Sequence, residues 1–166
     1  MQGLFQQTKK AFGQVDIFVA NPGLMGSNGF FDFEEDEQVQ LMEATEAGKI
    51  IDINLKGTIN TLRMAMHPMK SNQLNSDGAR GSIALIASIG RYFGGTGVVL
   101  YVSSKHGVLG VRVNIVAPFF TSTHMTPGYS EKWKEYGLPA NTTDDVANAV
   151  VATSMHPERQ GHNMMC

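Results

Sequence analysis

Apolar and polar positions along this chain fall into blocks whose period changes several times. Residues 2–12 carry Leu4, Phe5 and Phe12 as apolar contacts, and Gly13 ends the run, which predicts a short helix. Residues 15–20 (VDIFVA) are mostly apolar and rich in strand formers, and Asn21-Pro22-Gly23 stops them with a turn signal. Such a run predicts a buried parallel strand. Residues 24–40 are mixed; their acidic run, Glu34, Glu35, Asp36 and Glu37, predicts a solvated helix start. The best helical pattern spans 46–69, where Ile51, Leu55, Ile59, Leu62, Met66 and Met69 recur every three or four residues. A polar loop over 72–81 leads to a second apolar run, 82–87 (SIALIA), and then to a glycine-rich loop from Gly90 to Gly97. Residues 99–110 predict a short helix, and 111–117 (VRVNIVA) a third strand that Pro118 stops. A small helix follows over 129–136, closed by Gly137 and Pro139. Thr142 or Thr143 caps the next helix, with Asp144 and Asp145 in its first turn and Val146, Val150 and Ser154 along one face. Residues 162–166 begin a fourth strand.

Strand and helix in alternation predict an α/β fold: a parallel sheet with helices on its faces. The 166 residues fit one domain, with no internal repeat and no long linker. Hydrophobic residues at 42% and charged residues at 17% argue against disorder. The net charge of -2 removes the basic footprint of a nucleic-acid binder. The single cysteine, Cys166, cannot close an internal disulfide, which fits a cytoplasmic chain. No apolar run approaches the ~20 residues of a membrane span, and the first residues lack the apolar core of a signal peptide. The five histidines show no paired ligand spacing and there is no cysteine cluster, so no metal site is expected. No Gly-x-Ser-x-Gly elbow is present, which disfavours a serine hydrolase. His106 reads as a packed helix residue, Trp133 as core or lid packing, and the ten methionines as core filler.

Chemistry gathers around Tyr101 and Lys105. Four apart on a helix, they lie one turn apart on one face. An ammonium beside a phenol favours the phenolate, which predicts a tyrosine pKa below its usual ~10 and a proton carrier near neutral pH. Ser88 ends a predicted strand thirteen residues before Tyr101, at the carboxyl edge where open parallel sheets place their sites. Asn21 ends the preceding strand at the same edge. Asn54 interrupts an apolar run on the long helix; taken alone it reads as exposed, and if buried it needs a partner.

Together these residues resemble the short-chain dehydrogenase/reductase family, especially fungal members similar to hydroxyprostaglandin dehydrogenases. The matching segments are Phe12-Gly-Gln-Val-Asp16, Asn21-Pro-Gly23, Asn54-Leu-Lys-Gly57, residues 81–90 with Ser88, Tyr101-Val-Ser-Ser-Lys105 and Arg112-Val-Asn-Ile-Val-Ala-Pro118. The resemblance implies a Rossmann-type, doubly wound sheet and hydride transfer between NAD or NADP and an alcohol or ketone, with fungal secondary metabolism as a setting. Tyr101 would be the general acid/base. Lys105 would depress its pKa and bind the nicotinamide ribose, and Ser88 would hydrogen-bond the substrate oxygen. Asn54 would anchor a water in the proton relay. Asn21, Lys56, Thr121 and Thr123 would contact the cofactor together with Tyr101 and Lys105. Family members pair subunits through a helical surface, which the short helix of Tyr101 and Lys105 cuts into here; a small-molecule substrate and a homo-oligomer are the partners the resemblance implies.

The chain also departs from the family pattern. The first strands and the Gly-rich phosphate loop have no counterpart, so the expectation is a partial sheet in one incomplete domain over 1–166, with 15–20 left as an apolar edge strand that pairs with another chain. Residues 90–97 could supply a phosphate loop, but the next strand ends Val-Ala-Pro rather than in an acid, which favours a loop beside Tyr101. The helix of Tyr101 and Lys105 runs directly into Val111, about a dozen residues short by resemblance. Pro22 and Phe119 replace a usual Ala and Gly, and Phe119 narrows the crevice. Three readings stand: an oxidoreductase, a non-catalytic remnant or binding module, and a non-redox isomerase or dehydratase that uses Tyr101 as acid/base.

Overall fold

A computed structural model describes residues 2–27, 29–89, 99–109, 114–156 and 163–165. Its centre is a four-stranded parallel sheet in the order β1 (Ile17–Ala20), β2 (Ser82–Ile86), β3 (Asn114–Ala117) and β4 (Asn163–Met165). Phe18 pairs with Ile83, Leu85 with Ile115 and Val116 with Met164. The three apolar runs are therefore strands, and the end of the chain adds the fourth. Residues 111–113 of the third run, with Gly110, lie outside the described residues, as do His162 and Cys166.

Helix α1 (Gln2–Phe12) stops where Gly13 takes φ 85° and its N–H reaches the Lys9 carbonyl at 2.9 Å. Only Phe5 of its three expected contacts is buried, stacked on Phe18 at 5.2 Å; Leu4 and Phe12 face solvent. The acidic segment is not a helix start. The Asp36 carboxylate accepts from Gln38 N and Gln40 N at 2.9 Å each, closing an exposed turn with Val39 at φ 60°. Short-range side-chain acceptance of this kind competes with helix formation.

The long helical pattern over 46–69 is realised as α2 (Thr45–Ile51), a wide π-helical turn (Asp52–Lys56) and α3 (Gly57–Met69). The buried face is rotated by one residue from the expected stripe: Ile50, Asn54, Thr58, Thr61, Ala65 and Met69 point inward, while Ile59 and Met66 are exposed. The physical reason is close approach. Helix α4 (Val99–Leu109) presses Gly107 against Leu55, where an added Cβ would come within 2.7 Å of the Leu55 methyl. Asn54, Thr58, Thr61 and Ala65 keep the middle of that face small, with Ile50 and Met69 at its two ends.

Strand alternation sorts the helices by face. Ala20, Leu85 and Ile115 form a cluster with Leu55, and Phe18 and Ile83 continue it toward Phe5, Ala65 and Met69. The residue before Ile115 on β3 points the other way: Asn114 donates to the Thr153 carbonyl at 3.4 Å. Thus α6 (Thr143–Met155) covers the opposite face. Helix α5 (Pro127–Glu135) precedes it, ended by Gly137 at φ 62°.

Thr142 is the residue that caps α6, by a capping box: its hydroxyl accepts from Asp145 N at 3.1 Å, and the Asp145 carboxylate accepts from Thr142 N at 2.8 Å. The Thr142 N–H and the Thr142 hydroxyl, which donates at 2.7 Å, hold the Asp145 carboxyl below its usual range. Replacing Thr142 by Ala should lower stability by about 1 kcal/mol, read as a lower thermal midpoint with unchanged far-UV dichroism.

Candidate active site

The carboxyl ends of β1, β2 and β3 open into one cavity of about 950 Å³. Each strand end contributes to its wall: Asn21 after β1, Ser88 after β2, and Phe119 to Thr121 after β3. Tyr101 and Lys105 enter from α4. The expected convergence of Ser88, Tyr101, Lys105 and Asn21 at one edge is what the structure displays.

Lys105 is 2% exposed although it carries an ammonium. Its Nζ donates to the Ile86 carbonyl at 2.9 Å and the Pro22 carbonyl at 3.1 Å. The two carbonyls favour the charged form, but burial outweighs them and draws its pKa down to about 8. Nζ sits 5.7 Å from the centre of the Tyr101 ring. The tyrosine does not follow the expected direction. Burial raises its pKa above the usual 10, and the hydrogen bond to the Ser88 side chain only partly offsets this. Desolvation of the phenolate dominates because the ammonium is held by carbonyls rather than by the phenol oxygen.

Asn54 is fully buried rather than exposed. From the π turn its Oδ1 accepts from Leu24 N at 2.8 Å, and its Nδ2 donates to Leu24 O at 2.8 Å and Ser104 Oγ at 3.0 Å. The Ser104 hydroxyl passes its own proton to the Tyr101 carbonyl at 2.7 Å. Both amide protons of Asn54 are thereby used. Its side chain clamps the loop after β1 to the helix of Tyr101. Ser104 was not singled out from the sequence; its position three residues after Tyr101, on the same helix face, was the available signal.

The other expected cofactor residues divide. Thr121 and Thr123 line the cavity, but their hydroxyls also serve the local turn: Thr121 Oγ1 donates to Phe119 O at 3.0 Å and Thr123 Oγ1 accepts from Met125 N at 3.2 Å. Lys56 is not brought to the cavity. It stands on the surface, paired with Asp52 at 3.2 Å one turn away. Trp133 packs as the sequence suggested, stacked on Phe120 at 4.4 Å with Phe119 edge-on at 5.5 Å. His106 is exposed rather than packed, its Nδ1 2.8 Å from the Val102 carbonyl of its own helix. The glycine-rich segment 90–97 lies outside the described residues.

The family model for the short chain dehydrogenases matches residues 1–134, and the chain belongs to this family. It is 30% identical over 146 residues to a 3-oxoacyl-[acyl-carrier-protein] reductase of Thermotoga maritima, covering 80% of this chain and 53% of that protein. It is 30% identical over 166 residues to a short-chain dehydrogenase/reductase of Penicillium roqueforti, covering 90% and 48%. Among solved structures, a 3-hydroxyacyl-CoA dehydrogenase type-2 from Mycobacterium avium superposes with a TM-score of 0.77 at 22% identity, covering 99% of this chain and 72% of that one. The chain spans about half the length of the curated relatives it matches. Among the described residues no helix is long and apolar enough to cross a membrane.

The lysine gives a pH prediction. Between pH 8 and 10.5 the unfolded chain binds more protons at Lys105 than the folded chain, so this group's contribution to stability rises with pH. Wild type should gain about 2 kcal/mol relative to Lys105→Met between pH 7 and 9.5. Above pH 10 the raised Tyr101 pKa acts in the opposite sense, so denaturant titrations should stop at 9.5.

Proposed function

We propose that this chain is an oxidoreductase that moves a hydride between a nicotinamide cofactor, NAD or NADP, and an alcohol or ketone. One observation carries the reading: a Ser88–Tyr101 hydrogen bond, with Lys105 one turn along, at the strand ends that open into a single cavity. The residues present fit the nicotinamide and its ribose. Lys105 has a third N–H beyond the two given to Ile86 and Pro22, and it lines the cavity alongside Asn21, Thr121 and Thr123. Bound there, the nicotinamide supplies or takes the hydride.

The chain's own groups handle the proton and the orientation. Ser88 and Tyr101 converge on one substrate oxygen; Ser88 fixes it and Tyr101 carries its proton. With its pKa raised, the Tyr101 phenol keeps that proton at neutral pH. In the direction of carbonyl reduction it acts as the proton donor. Asn54 and Ser104 hold the tyrosine's helix against the loop after β1. A displacement of about 1 Å at the reacting atoms can cost ~100-fold in rate, so this clamp is part of the machinery.

Tyr101→Phe removes the proton carrier and leaves the packing. Turnover should fall by roughly 10²- to 10⁴-fold with the fold retained; unchanged turnover would defeat the assignment. Titration with NADH and NADPH, read by energy transfer from Trp133 in the cavity wall, should saturate and rank the two cofactors. The chain also self-associates in this proposal. β1 lies at the sheet edge with Ile17 44% and Val19 39% exposed, the kind of apolar edge that pairs with another strand. Light scattering should give a mass above 18.0 kDa, and Ile17→Lys should lower it.

A further inference from the structure

We infer that the chamber beside Tyr101 receives an uncharged, largely apolar, ring-bearing ketone or alcohol, selected by the aromatic wall of Phe120 and Trp133. The inference rests on the oxidoreductase reading for what happens to the ligand, and on the cavity alone for what binds.

The cavity wall is mostly apolar. At the strand ends and on α4 stand groups that can meet an oxygen: Asn21, Ser88 and Tyr101. Most of the remaining wall is aliphatic or aromatic, interrupted by Thr121, Thr123, Thr126, Tyr129 and Thr143, and Thr121, Thr123 and Thr126 spend their hydroxyls on local turn bonds. Among the described residues that line it, Lys105 is the one with a formal charge, and its ammonium already serves two backbone carbonyls. Among the described residues of the wall, an anionic ligand would exchange its hydration for one ammonium N–H, the third of Lys105, which is costly. A neutral carbonyl or hydroxyl loses far less and finds its partners at Asn21, Ser88 and Tyr101.

The wall also argues for a rigid ring over a flexible chain. Trp133 and Phe120 are nearly parallel, 16° apart, and Phe119 meets Trp133 at 66°. This stack is fixed at several points. The indole N–H donates to Pro139 O at 2.7 Å. Asn141 N donates to Phe120 O at 2.8 Å, and Thr126 Oγ1 donates to Thr121 O at 3.0 Å. With its N–H spent on Pro139, Trp133 offers the ligand ring surface and no donor. Rigid aromatic faces favour flat partners through offset or edge contacts, and a rigid ligand loses little conformational freedom on binding.

Two ligands of nearly equal shape separate the terms: 2-acetonaphthone, a neutral aromatic ketone, and 2-naphthoate, its anionic counterpart. Titration of the full 166-residue chain by calorimetry at pH 7.5 should give saturable binding of the ketone, at least about ten-fold tighter than the carboxylate. Phe120→Ala should weaken the ketone by roughly three- to ten-fold, and Phe120→Leu, which keeps apolar bulk without the ring, should fall between. Equal or tighter binding of 2-naphthoate would mean that Lys105 anchors anions and would overturn the inference. So would a ketone that does not bind, or one indifferent to both Phe120 variants. Tyr101→Phe keeps the two readings apart: it should alter ketone affinity by no more than about five-fold, one hydrogen bond's worth. A wild type that binds the ketone yet shows no turnover would sink the oxidoreductase reading and spare this one.

Discussion

The buried ammonium of Lys105 is the constraint on which the site depends. A charge at 2% exposure persists only if its protons are placed. Here two of them go to backbone carbonyls that end different strand segments, Ile86 of β2 and Pro22 beyond β1. One side chain from α4 therefore fixes two strand ends against each other. The same contact decides where Tyr101 stands, because the two residues share a helix face one turn apart. It also explains why the phenol is not acidified: the ammonium is spent on carbonyls, and burial sets the tyrosine's direction.

Around this pair the structure uses polar side chains as ties. Asn54 closes both backbone groups of Leu24 and reaches Ser104, which reaches the Tyr101 carbonyl. Glu46 holds the same loop further on, accepting from Ser27 N at 2.9 Å and Ser27 Oγ at 2.5 Å, which keeps its carboxyl below the usual range. The loop after β1 is thus held at Pro22, Leu24 and Ser27 from three helical positions. Gly107 permits the approach that makes this possible, since any side chain there would strike Leu55. A π turn at Asp52–Lys56 places Asn54 in the seam. Wide turns of this kind occur where a helix gives up regularity for a specific placement.

Much of the fold was legible in one dimension, and the reasons are local. The short runs containing Ile17–Ala20, Ser82–Ile86 and Asn114–Ala117 are apolar on both sides, and such runs favour parallel strands; the latter two are largely buried, whereas Ile17–Ala20 lies at the sheet edge with Ile17 and Val19 exposed rather than buried. Gly13, Gly137 and the Thr142–Asp145 box mark helix ends by chemistry that acts within four residues. The pairing of Ser88, Tyr101 and Lys105 at one edge followed from strand ends and helix spacing. The acidic segment misled because Asp36 could equally cap a helix or close a turn, and nothing nearby in sequence decides between them.

By itself, then, the sequence determined the α/β order, the strands and the gathering of Ser88, Tyr101 and Lys105 at one sheet edge, because periodicity and capping are short-range. Tertiary structure decided the rest. It rotated the buried face of the long helix by one residue, buried Asn54, left Lys56 on the surface and turned the Tyr101 pKa upward. Each of these depends on which atoms lie within a few ångströms across the fold: Gly107 against Leu55, Leu24 against Asn54, carbonyls against Lys105. Desolvation and close packing are properties of the assembled neighbourhood, and no spacing along the chain encodes them.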